Sequence, residues 1–214
     1  MIGFKEFLEE AKRGTLHVVD IDDTMFHTTA RVHVKNAKGK VIRYLSNAEY
    51  NTHKLKQGQS YDFKEFKNAK KFHDESKPIH PMINKVNKIQ KNVGKHPNSR
   101  VIINTARSDF DDKHKFLDTF RKHGVDIDKI HVHRAGNLPG SDNAASKKVK
   151  IIKQYIDSHS HKKVIMYDDS KTNLQALLNM KKEYPDVKFI AFHVRSDGRD
   201  RKSTRLNSSH IPLS

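Results

Sequence analysis

The chain contains no cysteine, so neither a disulfide nor a thiolate metal centre is open to it, and a reducing, cytoplasmic compartment is expected. No stretch of eighteen apolar residues occurs, so no membrane-spanning helix is expected. The opening MIGFKEFLEEAKRG lacks the layout of a secretion signal. Its Phe4, Phe7, Leu8 and Ala11 recur at helical spacing and predict a helix over residues 3–12. Acid is scarce: 25 Asp and Glu stand against 42 Lys and Arg, a formal charge of +17. Part of that belongs to DRKSTRLNSSH (Asp200–His210), which resembles the translation of a sequencing-library adapter; residues 200–214 are therefore expected not to be natural sequence. Without that tail 39 basic residues face 24 acidic ones, a formal +15. Such a surplus favours polyanions, but the lysines are scattered as KNAKK, SKKVK and HKK, which is also how a solvated Lys-rich surface looks.

What is present is an alternation of apolar strands and helices. Strands are predicted over 15–20, RVIINT, IHVH (130–133), KVIMYDD (163–169) and KFIAFHV (188–194). Helices are predicted over DDKHKFLDTFRKHG, 144–158 and 170–183, the first with basic residues in its last turn and Gly124 to stop it. The fold class is α/β, a Rossmann-like three-layer parallel sheet. Residues 25–80 interrupt it: RVHVKNAKGKVIRYL reads as a hairpin turning near Asn36–Gly39, SNAE as a capping box, and YDFKEFKNAKKF as a short helix. This block reads as an insert over the end of the first strand, either a lid or specificity element or a decoration without a role in binding. PMINKVNKIQ, within 81–98, is an amphipathic helix rejoining a core made of 1–24 and 99–199.

The segment HVVDIDDTMFHT (His17–Thr28) runs an apolar strand into Asp20, Asp22 and Asp23. In open parallel sheets ligands bind beyond the carboxyl ends of the strands. DIDDT, NTARS and DDSKTN all fall at such ends, so neighbouring strands would bring Asp20, Asp22, Asp168 and Asp169 into one small volume. Four carboxylates held together call for a cation, and Mg²⁺ suits a site that also receives phosphate. Asp20 and Asp22, two apart in an extended segment, leave the same face.

These motifs resemble those of the haloacid dehalogenase (HAD) superfamily of phosphohydrolases. VVDIDDT is similar to the family's Asp-x-Asp-x-Thr, VIINT to its strand ending in Ser or Thr, and VIMYDD to its strand ending in paired acids; ASKKVKIIKQYI supplies a lysine before that last strand. The resemblance implies a HAD-like fold and makes Asp20 the nucleophile that forms an aspartyl-phosphate, and Asp22 the general acid and then base. It implies that Thr24 orients the turn, that Thr105 donates to the phosphoryl oxygens, and that Lys148, with Lys147 as the alternative, neutralises Asp20 and the phosphate. Mg²⁺ would take a carboxylate oxygen of Asp20, the main-chain carbonyl of Asp22, and Asp168 directly, with Asp169 in support. Many family phosphatases have Gly where this chain has Asp23.

Arg107, two residues past Thr105, is either a bidentate clamp for a phosphate or substrate anion or the partner of Asp109 or Asp111 in a surface ion pair. The segment NTARSD resembles the Ser-Gly-Arg stretch in the 3′-phosphatase domain of phage polynucleotide kinases, and MIGFKEFLEEA and VGKHPNSRVIINTARSDF resemble HAD-type proteins of tailed bacteriophages. The resemblance implies a Mg²⁺-dependent phosphomonoester hydrolase acting on a phosphorylated small molecule, a nucleotide or a nucleic-acid end, in the host cytoplasm if phage-encoded. The alternative is a non-catalytic nucleic-acid-binding module on the same fold, against which the presence of both Asp20 and Asp22 argues. His131 and His133 share one strand face, a spacing able to bind Zn²⁺, but a solvent-facing edge strand is expected instead.

Overall fold

Val18-Val19, Val101–Ile103 and Val164–Met166 are apolar without interruption, as suits strands buried on both faces, and all three sit at the centre of one sheet. The computed structural model describes residues 14–50, 52–96, 98–140, 142–159 and 161–195. The helix expected over 3–12 and the tail 200–214 lie outside the described residues. Strands β1 (Thr15–Val19), β7 (Arg100–Thr105), β8 (His131–Arg134), β9 (Lys163–Asp168) and β10 (Lys188–His193) form a five-stranded sheet in the order β10-β9-β1-β7-β8, parallel at every pairing.

Because successive side chains leave opposite faces, each strand feeds two cores. Val19, Ile103 and Ile165 face α3 (His80–Val93) and α4 (Lys113–Lys122); Val18, Ile102 and Val164 face α5 (Ala144–His159) and α6 (Lys171–Asn179). This is the three-layer α/β arrangement the alternation predicted. Asp112 caps α4 by accepting from the Lys115 amide at 2.9 Å, and Ser170 caps α6. The expected helix over 170–183 is α only to Asn179 and tightens into a 3₁₀ turn at Met180–Lys182. Strand β8 is an edge, as expected. Its His131 and His133 both meet the Tyr155 hydroxyl, at 3.2 and 2.7 Å, and belong to no metal-ligating group among the described residues. Among the described residues no helix is long and apolar enough to cross a membrane.

The insert is smaller than 25–80. Strand β2 (Phe26–His27) pairs with β6 (Lys77–Pro78) at its neck. Phe26 and Phe72, the latter on α2 (Ala69–Glu75), pack into the main core against Phe116 and Phe120. The part with its own small core runs from Ala30 to Phe66, where Val32, Val34 and Leu45 cluster with Phe66. There β3 (Val32–Lys35) and β4 (Val41–Leu45) form the expected hairpin. Its turn is held by Asn36 Oδ1, which accepts from the Lys38 and Lys40 amides, and by Gly39 at φ +75°. The capping box also forms, Ser46 and Glu49 exchanging bonds across the one-turn helix α1 (Asn47–Tyr50).

YDFKEFKNAKKF is not one helix. Ser60–Asp62 joins β3 as strand β5, Lys64–Lys67 is a 3₁₀ turn, and α2 starts only after Asn68 caps it. Aromatic Tyr61 and Phe63 favour strand and platform positions over helix, and pairing with β3 decides it.

Candidate active site

Strand β1 lies between β7 and β9, and the chain leaves toward β8 on one side and β10 on the other, so the sheet's switch point falls at the end of β1. Past that end the backbone lets Ile21 fall into the core while Asp20 and Asp22 stay on the other side; all three are buried. A hairpin-like bend follows, with the Met25 and Phe26 amides both donating to the Ile21 carbonyl. At its apex Asp23 has φ +53°, the only non-glycine residue with positive φ among the described residues. That explains why glycine suits this place. Here the aspartate is retained with contacts of its own: Oδ2 accepts from Asn47 Nδ2 at 3.1 Å, and Oδ1 lies 3.4 Å from His27 Nδ1. Asp23→Gly is expected to be more stable than Asp23→Ala by about 1 kcal/mol, read from urea unfolding midpoints. An alanine variant as stable as the glycine one would contradict this backbone.

The side chains expected from the sequence converge. Lys148, near the start of α5 and fully buried, puts Nζ 2.9 Å from Asp20 Oδ1 and 2.8 Å from Asp168 Oδ2. Lys147 is half-buried on the wall of the adjoining cavity, so of the two alternatives Lys148 occupies the position between the acids. Asp168 is saturated: Oδ1 accepts from the Ser170 amide (2.8 Å) and Asn173 Nδ2 (3.0 Å), and Oδ2 accepts from Lys148 and again from Asn173 (3.1 Å). Asp169 takes no such bond among the described residues and lines the cavity. Asp168, expected as the direct metal ligand with Asp169 in support, thus has both oxygens engaged, while Asp169 lies open beside it. Oxygens of Asp20, Asp168 and Asp169 lie within 4.8 Å of one another. The Asp22 carboxylate is not in that group; it is held by Arg107.

Arg107 takes neither expected role. It is buried, its Nε and Nη2 donate to both oxygens of Asp22 at 2.9 and 2.6 Å, and its Nη1 donates to the Phe66 carbonyl at 2.9 Å. Its guanidinium lies 5.1 Å from the Phe66 ring and 4.6 Å from that of Phe72. Asp109 pairs with Arg134 instead, and the Asp111 carboxylate accepts from the Ala69 amide.

Thr105 ends β7, fully buried, its hydroxyl accepting from the Arg107 amide at 3.2 Å. Thr24 is also fully buried and its hydroxyl has no partner, so it packs inside the bend rather than lining the cavity. Gly136 closes the site from β8's side. A Cβ there would sit 2.4 Å from the Ala106 carbonyl oxygen, so only glycine lets that turn lie against the end of β7.

Two participants escaped the sequence reading. Asn104 is buried in mid-strand and donates to the Lys148 carbonyl at 3.0 Å, tying β7 to α5. A lone amide in VIINT was its signal. Asn173, one turn into α6, holds Asp168.

Charge is unbalanced here. The carboxylates of Asp20, Asp22, Asp168 and Asp169 face two buried cations, Lys148 and Arg107. Burial pushes the Asp20 carboxyl up, Lys148 opposes, and Asp168 and Asp22 add to the rise, to about 7. Burial, then Asp20 and Asp168, push Asp169 up to about 9. Burial alone would lower the Lys148 amine, but Asp168 and Asp20 outweigh it and hold it above the usual range. Asp20 Oδ1 is buried and has the Lys148 ammonium at 2.9 Å beside it. An all-oxygen donor set in which carboxylates outnumber the cations beside them fits a hard divalent cation. No protein-family model matches the chain, and no curated protein matches it.

Proposed function

We propose that the chain is a HAD-type, Mg²⁺-dependent phosphomonoester hydrolase working through an aspartyl-phosphate on Asp20. One observation carries this reading: a buried lysine bridging the acids that end two adjacent parallel strands, Asp20 and Asp168, with Asp169 open beside them. A capping role explains Asp168, which accepts from the Ser170 amide, but not Asp20, whose carboxylate meets Lys148.

In the proposed reaction an Asp20 carboxylate oxygen attacks phosphorus in line. The bond to the leaving oxygen breaks as Asp22, which must first take up a proton from solvent against the pull of its Arg107 pair, passes that proton to it. Water then attacks the phosphorus, Asp22 takes a proton back, and inorganic phosphate and the free Asp20 carboxylate return. Arg107 fixes the rotamer of Asp22, and Lys148 offsets charge at Asp20. Asp20, Asp169 and Asp168, with the Asp22 carbonyl, would hold Mg²⁺, which supplies charge neutralisation to the phosphoryl oxygens.

The test is phosphate release from an aryl phosphate, mononucleotides and a 3′-phosphorylated oligonucleotide, with and without Mg²⁺, by the parent and Asp20→Asn. Release that needs Mg²⁺ and vanishes in the variant is expected. Metal-independent release, or release that survives Asp20→Asn, would rule this mechanism out.

A further inference from the structure

The site opens into a cavity of about 830 Å³ whose far wall is the insert. That is far more space than a phosphoester needs and is in the range that encloses a ligand of drug size. Four large apolar side chains are exposed among the described residues, Ile42, Tyr44, Leu55 and Phe63, and only Phe63, 40% exposed, lines the cavity. Phe63 is braced by Tyr50 at 5.4 Å and Tyr61 at 6.0 Å between ring centroids, and Tyr61 is itself pinned through its hydroxyl to His53. A braced ring with a wet face is a stacking platform.

The charges on the same walls are positive where they are unpaired. Of the acids lining the cavity away from its catalytic floor, Asp62 pairs with Lys35 and Asp142 with Lys150. Lys64, Lys67 and Lys147 also line it; Lys64 and Lys67 form no ion pair among the described residues, and Lys147 shares the neighbourhood of Asp142, whose ion pair is with Lys150. Phe63 is followed by Lys64 and, across the same turn, by Lys67, one exposed aromatic beside two cations as in single-strand nucleic-acid grooves.

We propose that the insert wall is a nucleotide subsite: Phe63 stacks a base, and Lys64, Lys67 and Lys147 take a phosphate additional to the one presented to Asp20. This rests on the hydrolase reading for the scissile phosphate. The shared chemistry is a base flanked by a second phosphate, which a nucleoside 3′,5′-bisphosphate and a 3′-phosphorylated oligonucleotide both offer.

Two readouts test it. The first is the ratio of kcat/KM for the bisphosphate to that for glycerol 2-phosphate, in the parent, Phe63→Ala and Phe63→Trp. The second is equilibrium binding of both nucleotide ligands to Asp20→Asn, with and without Phe63→Ala or the pair Lys64→Gln and Lys67→Gln, across salt. The ratio is expected to fall about tenfold or more in Phe63→Ala and to be kept by Phe63→Trp. The lysine pair is expected to flatten the dependence of log affinity on log salt by about 1. A steeper salt dependence for the oligonucleotide than for the bisphosphate identifies a nucleic-acid end; equal dependence identifies a free nucleotide. Release from glycerol 2-phosphate with no preference for nucleotides, unchanged in Phe63→Ala, overturns the subsite and spares the hydrolase. Binding that depends on Phe63, with no phosphate released from any ester, upholds the subsite and overturns the hydrolase.

Discussion

Asp20→Asn is expected to lower Mg²⁺-dependent phosphate release by at least about 10⁴-fold while raising the metal-free melting temperature at pH 8. Most substitutions of a buried, ion-paired residue destabilise. Here the pair sits in a surplus of its own sign: with Asp169 keeping its proton up to about 9, Asp20, Asp22 and Asp168 still outnumber Lys148 and Arg107 at pH 8. Asparagine keeps the shape and removes one charge, and Lys148 keeps its hydrogen bond to Asp168 at 2.8 Å.

The pH dependence has a definite sign. Burial, with Asp168 and Asp22, raises the folded Asp20 carboxyl from its ordinary 3.8 to about 7. The native state thus holds this proton more tightly than the unfolded chain, and stability is lost as pH rises through that window. The variant's advantage should be full above pH 7, about 1–3 kcal/mol or roughly 2–4 °C per kcal/mol, and should shrink toward pH 4. Mg²⁺ should raise the parent's melting temperature by mass action and the variant's by less. A fall of several degrees in Asp20→Asn at pH 8 would mean that Lys148 depends on Asp20 more than the acids repel one another.

The sheet and its acidic switch point were legible because both are written locally. Uninterrupted runs such as VIIN and VIMY fit only strands covered on both faces, and the acids that follow Val19 and Tyr167 can go only to the carboxyl edge. Lys148 was legible only as one of two, since adjacent lysines on a helix differ by about 100° of rotation and the sequence does not say which angle faces the sheet. Burial of Ile151 and Ile152 in the core on that face of the sheet fixes that angle.

The limits of the insert were not legible. Phe72 looks like any aromatic of YDFKEFKNAKKF, yet it packs on Phe116 and Phe120, more than forty residues on. Nor could local sequence give Arg107 its partner. NTARSDFD places Asp109 and Asp111 close in sequence, but both are engaged elsewhere, by Arg134 and the Ala69 amide, and the fold delivers Asp22 from 85 residues away.

That pair joins the core to the insert, and Arg107→Met is expected to be the most damaging single change at the site. It leaves Asp22 buried without its counter-charge, deprives the Phe66 carbonyl of a donor and takes a cation from between the Phe66 and Phe72 rings. Breaking one side of a buried pair costs about 3–5 kcal/mol, which for a chain of this length is roughly 6–20 °C. Because most of that cost is the stranded carboxylate, Arg107→Met combined with Asp22→Asn should recover part of the loss, with a coupling energy above about 1 kcal/mol in the double-mutant cycle. Arg107→Lys keeps the charge but cannot grip both oxygens of Asp22, so it should retain more stability than Arg107→Met while still lowering kcat, through a misoriented acid. Since the third bond goes to Phe66, cleavage by protease within residues 36–60 should quicken in Arg107→Met before the sheet unfolds. If Arg107→Met stays within about 1 kcal/mol of the parent and its insert resists protease equally, the Asp22–Arg107–Phe66 chain does not hold the insert over the site.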